Sequence, residues 1–166
     1  MSSLEQMYQQ VILDHAKHPH GRGLVDHGPG DLLQGESHQV NTTCGDEVTL
    51  RVAVAPGAAG IGGTVESVTW EGQGCSISQA STSVMTELVT GASLTEAARL
   101  DALFHDLMSS RGRGLGDDDE DVLGDATAFT GVSQYPARIK CALLGWAALK
   151  DSLVRSGALV STDGLR

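Results

Sequence analysis

Residues 65–81 read VESVTWEGQGCSISQAS, and the pattern changes from strand to helix within them. The first half, Val65 to Glu71, is rich in β-forming residues and predicts a strand. Gly72 and Gly74 end that strand, and from Cys75 onward apolar residues recur at the helical period. The stretch therefore predicts a strand that leads directly into an amphipathic helix, with Cys75 at the junction.

Two more strands are predicted upstream of this junction. Glu47 to Ala55 alternates apolar and polar residues, which predicts a half-buried strand that forms an antiparallel hairpin with the strand at 65–71. Residues 34–43 are polar and compatible with an edge strand. Together they predict a three-stranded antiparallel sheet.

Helices are predicted on both sides of these strands. An amphipathic N-terminal helix should end before Pro19, and Ser93 to Glu96 is a capping box that opens a helix reaching about Met108. Pro136 is suited to the first turn of a long C-terminal helix. This order predicts an α+β fold, with helices packed on one face of the sheet.

Composition limits the function classes. The chain has 166 residues and a net charge of −10, which fits one domain over residues 1–166 and argues against binding to nucleic acid or anionic membranes. Its longest apolar run, 141–149, is too short to span a membrane, and no secretory signal is visible at the N-terminus. We therefore expect a cytoplasmic protein.

An acidic run, Asp117 to Asp121, lies in the centre of residues 109–135. Runs of like charge are usually solvated and irregular. We therefore expect an inserted acidic loop over about 109–135. The six histidines could suggest a second metal site, but five of them lie in the polar N-terminal third without evident ligand partners, and we expect them all to be surface residues.

All three cysteines fall at predicted junctions. Cys44 lies between two strands, Cys75 begins a helix, and Cys141 lies near the start of the last helix. Loop ends and helix N-termini stabilise thiolates. Asp46, two residues beyond Cys44, can direct its carboxylate towards the same point. Three thiolates and one carboxylate suit a tetrahedral ion such as Zn²⁺, but on spacing alone three unrelated buried thiols are the default interpretation.

Three separated segments resemble the IscU/NifU-N family of iron–sulfur cluster assembly proteins. They are VNTTCGD at 40–46, EGQGCSISQAS at 71–81 and PARIKCA at 136–142. The N-terminal YQQVILDH at 8–15 is similar to that family as well, and the resemblance covers roughly positions 4–153.

Two departures point to the SufU branch of this family. Scaffolds of the IscU type usually carry a histidine immediately before the third cysteine, where this chain has Lys140. They also carry a Leu-Pro-Pro-Val-Lys motif, which residues 131–136 lack. The insertion at 109–135 is of the SufU type. The branch implies a sulfurtransferase that is the partner of a type II cysteine desulfurase.

The resemblance also implies roles for individual residues. Zn²⁺ would be held by Cys44, Asp46, Cys75 and Cys141, and Arg138 would lie near the metal. There Arg138 would hydrogen-bond Asp46 or the transferred sulfur, unless it is simply a surface arginine. We hypothesise that Cys44 accepts persulfide sulfur, because it lies in a loop beside a glycine. To attack, it would leave the metal, and a histidine of the partner is a suitable replacement ligand.

Two other functions are compatible with the same residues. The four ligands would also suit a scaffold that assembles a transient [2Fe–2S] cluster and hands it on. A structural zinc domain that only binds partners is the other possibility. In the sulfurtransferase interpretation, the sulfur would pass to a downstream iron–sulfur scaffold complex.

Overall fold

The computed structural model describes residues 3–57 and 63–159. Its elements in chain order are α1 (Ser3–Lys17), β1 (Leu33–Asn41), β2 (Asp46–Pro56), β3 (Gly63–Gln73), α2 (Ser76–Val89), α3 (Leu94–Met108), α4 (Asp117–Leu123), a 3₁₀ helix (Gly124–Gln134) and α5 (Pro136–Arg155). None of the helices in these two ranges has the length and apolar character needed to cross a membrane.

The strands form one antiparallel sheet in the order β1–β2–β3. The apolar side chains of β2 alternate with polar ones, and Leu50 and Val52 are almost fully buried beneath the helices. The opposite face carries polar residues, among them the ion pair between Arg51 and Glu36 on neighbouring strands. The predicted α+β fold, with a three-stranded antiparallel sheet and helices on one face, is confirmed.

Helix α5 packs closely across β1 and β2. A Cβ atom at Gly35 would lie 2.1 Å from the carbonyl oxygen of Ser152, so only glycine permits this approach. The Ser152 hydroxyl bonds to the carbonyl oxygens of Ala148 and, at 3.2 Å, Leu50. This contact holds the C-terminal end of α5 against the sheet, and Cys141 lies nearer the start of the same helix.

The predicted loop at 109–135 is wrong, because most of this segment is helical. Four acidic residues occupy the first turn of α4, where the positive end of the helix dipole stabilises them. Leu123, at the end of α4, is fully buried. The following 3₁₀ helix buries Phe129, whose ring lies edge-on to Phe104 at 5.9 Å. The segment is therefore part of the hydrophobic core, with its charges on the outside.

Candidate metal centre

The fold brings together the cysteines that lie far apart in the sequence. Cys44 is in the turn between β1 and β2, Cys75 is the N-cap residue of α2, and Cys141 is on the second turn of α5. The sulfur atoms of Cys44 and Cys141 are 3.1 Å apart, and no disulfide is present. Donor atoms of Cys44, Asp46 and Cys141 all lie within 4.8 Å of one another. Three of the four predicted ligands thus form a compact group.

Asp46 connects the fourth predicted ligand, Cys75, to this group. Its carboxylate is fully buried, and one oxygen accepts a hydrogen bond from the backbone N–H of Cys75 at 2.8 Å. The other oxygen lies 3.8 Å from the Cys75 sulfur. Space beside the carboxylate depends on Gly74, where a Cβ atom would come within 2.2 Å of an Asp46 oxygen. Glycine at position 74 thus leaves room for the Asp46 carboxylate beside Cys75.

The three thiols differ in exposure and chemistry. Cys44 and Cys75 are exposed, whereas Cys141 is buried. Burial raises the pKa of the Cys141 thiol far above its usual range, and hydrogen bonds with Asp46 and Cys44 and the charge of Cys75 raise this pKa further. Without a cation, Cys141 therefore stays protonated at neutral pH.

The charge balance of the group fits a divalent cation. A buried carboxylate and three thiols converge here, and within residues 3–57 and 63–159 no basic side chain forms an ion pair with Asp46. Lys140 is exposed. Buried anions require a compensating charge, and metal coordination supplies one. Three sulfurs and one carboxylate oxygen are a donor set that suits tetrahedral zinc.

Sequence reasoning assigned no role to Asn41, although it contacts two of the sulfurs. Its side-chain N–H group lies 3.4 Å from the sulfur of Cys44 and 3.7 Å from that of Cys141. Its side-chain oxygen accepts the backbone N–H of Thr43, which shapes the turn that presents Cys44. An asparagine three residues before a cysteine in a turn is a signal that could have identified it.

Arg138 does not contact the other predicted site residues. It is exposed in the first turn of α5, and its guanidinium lies 5.6 Å from the centre of the Tyr135 ring. Among the described residues, no hydrogen bond joins Arg138 to Asp46 or to a cysteine sulfur. The hydrogen bond to Asp46 that the sequence allowed is therefore not formed.

The prediction that all six histidines are surface residues is wrong for His15. His18, His20, His27 and His38 are exposed, and His105 is half-buried. His15 is buried because its partners come from distant segments: Ser83 lies 2.8 Å from Nδ1, and Asp125 lies 3.3 Å from Nε2. Neither contact has a signature in the local sequence around His15.

Known proteins are similar to this chain over most of its length. The family model described as the NifU-like N terminal domain matches residues 7–142. The Zinc-dependent sulfurtransferase SufU of Bacillus subtilis is 38% identical over 93% of this chain and 94% of its own length. The Iron-sulfur cluster assembly scaffold protein IscU of Streptococcus pyogenes is 35% identical over 94% of this chain and 88% of its own.

A solved structure is similar to this chain in fold as well as in sequence. A crystal structure from Fervidobacterium islandicum, described as an iron–sulfur cluster assembly scaffold protein for the SUF system, superposes with a TM-score of 0.64. It is 32% identical in sequence and covers 92% of this chain and 99% of its own. The likeness thus extends over all the elements that position the cysteines.

Proposed function

This chain belongs to the family of NifU-like N-terminal domains, and we propose that it serves iron–sulfur cluster assembly as a zinc-dependent sulfurtransferase. It would accept persulfide sulfur from a type II cysteine desulfurase. The family predicted from the three cysteine segments is confirmed. The observation that carries the proposal is the convergence of Cys44, Asp46 and Cys141 within 4.8 Å, with Cys75 tied to Asp46.

Zinc is the proposed resident ion, held by Cys44, Asp46, Cys75 and Cys141. When bound, Zn²⁺ would keep the thiols deprotonated and link four separate elements of the fold. The compact donor group supports this assignment, because three sulfurs and one carboxylate oxygen suit tetrahedral zinc. The 38% identical Bacillus protein is named as zinc-dependent, which supports the same ion.

Cys44 is the proposed sulfur acceptor. Cys141 is 2% exposed and is held within α5, so an incoming persulfide cannot reach it without moving the helix. Cys75 is exposed, but its backbone is fixed at the N-terminus of α2 by the hydrogen bond to Asp46. Cys44 is exposed in a turn beside Gly45, which has a φ of 75°. Of the three, it combines exposure with a position in a turn instead of on a helix.

The proposed reaction is a thiol–persulfide exchange without net oxidation. The Cys44 thiolate attacks the terminal sulfur of the persulfide on the desulfurase cysteine. A new S–S bond forms on Cys44 while the S–S bond of the donor breaks, and the donor cysteine leaves as a thiolate. Asn41 donates a hydrogen bond to the Cys44 sulfur and would steady its negative charge before attack.

Arg138 is proposed as a contact for the transferred sulfur. Arg138 is exposed, its guanidinium lies 5.6 Å from the centre of the Tyr135 ring, and the residue is three positions before Cys141. An exposed guanidinium can bind a persulfide anion or a carboxylate of the partner by charge-assisted hydrogen bonds. The sulfur would then pass to a downstream iron–sulfur scaffold complex. Free thiols at the site suit a reducing compartment such as the cytoplasm.

A desulfurase assay tests this proposal. The zinc-loaded protein is mixed with a type II cysteine desulfurase and cysteine, and alanine formation is measured. We expect clear stimulation by the wild-type chain and none after removal of zinc by a chelator, with activity restored when zinc returns. Equal alanine formation with and without the chain would overturn the proposal.

A scaffold function is the second candidate, because the Streptococcus relative is named as an IscU scaffold. Thiolates bind iron as readily as zinc, so the ligand set alone suits both. Protein purified without oxygen distinguishes them. A colourless protein with one zinc per chain favours the sulfurtransferase, whereas visible absorption and acid-labile sulfide favour the scaffold.

A further inference from the structure

A second group of metal-binding side chains lies away from the cysteines, and we propose that it binds a first-row divalent transition ion. Its members are His15 near the end of α1, His20 in the turn that follows, and Glu87 in the last turn of α2. One ring nitrogen of each histidine and one carboxylate oxygen of Glu87 all lie within 4.8 Å of one another. We call these three residues the histidine cluster.

The cluster is compact before any ion binds. The Nε2 atom of His20 is 2.9 Å from a carboxylate oxygen of Glu87, and the two imidazole rings are 5.2 Å apart. Two imidazoles and one carboxylate recur in zinc sites that keep an open position. An ion at their centre would replace the existing contact between His20 and Glu87 with coordination by both residues.

Ser83 holds both histidines in place. Its hydroxyl oxygen accepts the backbone N–H of His20 at 2.8 Å and lies 2.8 Å from Nδ1 of His15. On the other side of the His15 ring, Asp125 is 3.3 Å from Nε2. Either ring nitrogen of His15 can therefore bind an ion while the other keeps a hydrogen-bonding partner. Metal-bound histidines are typically oriented by such a partner.

Exposure and chemistry indicate which ions the cluster accepts. His15 is buried, whereas the side chains of His20 and Glu87 are about half exposed, so water can complete the coordination. Imidazole ligands suit Zn²⁺, Ni²⁺, Co²⁺ and Cu²⁺, and disfavour Ca²⁺ and Mg²⁺, which prefer oxygen ligands alone. Binding would clamp α1 and its following turn to α2, and would stabilise the folded chain in proportion to ion concentration.

The test uses protein whose thiol site is already filled with zinc, titrated with cobalt(II) alone. Cobalt bound to nitrogen and oxygen lacks the thiolate charge-transfer absorption that cobalt gives at a cysteine site. We expect a second equivalent of metal per chain, without that absorption, and a rise in melting temperature. Zinc in the protein is measured in parallel to show that it is not displaced.

Three exposed-residue variants make the test specific. His20→Asn and Glu87→Gln should each weaken cobalt binding about tenfold or more and remove the thermal shift. His38→Asn is the matched control, because His38 is exposed and pairs with Glu47 at 3.2 Å without a second histidine nearby. It should bind cobalt like the wild type. Equal binding by all four proteins, or cobalt that appears only at the thiols, would overturn the proposal.

Discussion

Helix α2 contributes a residue to both donor groups, and the two groups differ in whether their side chains have polar partners in the absence of a metal ion. Cys75 begins the helix, and Glu87 lies 12 residues further on, about 18 Å along the helix axis. At the thiol end, the fully buried carboxylate of Asp46 lies close to the sulfurs of Cys44 and Cys141 and 3.8 Å from that of Cys75, and among the described residues no cation pairs with it. At the other end, His20 pairs with Glu87, and His15 with Ser83 and Asp125.

We therefore expect the thiol site to depend on a metal ion for its stability, and the histidine cluster to be stable with or without one. Without an ion, the acidic donors at the thiol end are crowded together in partly buried space, which is costly. The side chains of the histidine cluster keep polar partners of their own without an ion, through Ser83, Asp125 and the contact between His20 and Glu87. We therefore expect the thiol site to bind metal tightly and to support the fold, and the histidine cluster to bind reversibly.

The largest expected effect is at Asp46. Asp46→Asn keeps an oxygen for the Cys75 N–H but removes the negative charge, so zinc affinity should fall by at least about 100-fold, more than the loss of an outer-shell partner usually costs. Competition with a chromophoric chelator measures this. Cobalt binding to the histidine cluster should be unchanged. Wild-type zinc affinity in this variant would contradict the assignment of Asp46 as a ligand.

Ser83→Ala should have the opposite effect to Asp46→Asn: it should weaken cobalt binding and leave zinc binding unchanged. Loss of the hydroxyl frees both histidines, and cobalt affinity at the histidine cluster should fall roughly 10-fold, as for other residues that orient ligands. Calorimetric titration of the zinc-loaded protein gives the affinity, and zinc content should stay at one per chain. If the variant instead lost zinc and kept its cobalt affinity, this would contradict the role of Ser83 in positioning the two histidines.

Gly74→Ala tests how closely the thiol end is packed. The added Cβ would lie 2.2 Å from the Asp46 carboxylate, which is held by its hydrogen bond, so we expect a loss of about 1–3 kcal/mol in the free energy of unfolding. Urea unfolding followed by circular dichroism measures it. Gly131→Ala is the matched control, because nothing lies within 4 Å of its added Cβ. Equal stability of both variants would show that Asp46 has room to move.

A smaller effect is expected at Ser37, on β1. Its hydroxyl donates to Asp151 at 2.6 Å, which lowers the pKa of that carboxyl, with Arg155 contributing. A lowered pKa in the folded state stabilises the protein above the ordinary aspartate pKa of about 3.9, and this stabilisation is lost as the pH falls below it. Ser37→Ala should cost about 1 kcal/mol at pH 7 and less in acid. Unfolding at both pH values checks this, and metal binding should not change.

Several elements were predictable because their signals are local. The capping box at Ser93 fixed the start of α3, where the Ser93 side chain accepts the Glu96 N–H, and that helix ends at Met108 as expected. The junction at Cys75 was predictable for the same reason. The segment 109–135 was not, because its acidic residues dominate the local pattern, while the burial of Leu123 and Phe129 depends on distant helices.

The two donor groups also differ in how far the sequence alone could predict them. The cysteines were recognisable by type and by their positions at junctions, and the structure brings Cys44 and Cys141 together across 97 positions. The histidine cluster was missed because Glu87 and Ser83 lie more than 60 residues from the histidines they contact. No periodicity or local motif carries that information, which arises only when α1 packs against α2.

The measurement that tests the central claim most directly is to locate the transferred sulfur. Zinc-loaded protein is incubated with a type II cysteine desulfurase and cysteine, and the peptides are mapped by mass spectrometry under conditions that preserve persulfides. We predict one added sulfur on the peptide that contains Cys44, and none in a folded Cys44→Ser variant. Sulfur on Cys75 or Cys141, or sulfur transfer to Cys44→Ser at the wild-type rate, would contradict Cys44 as the acceptor.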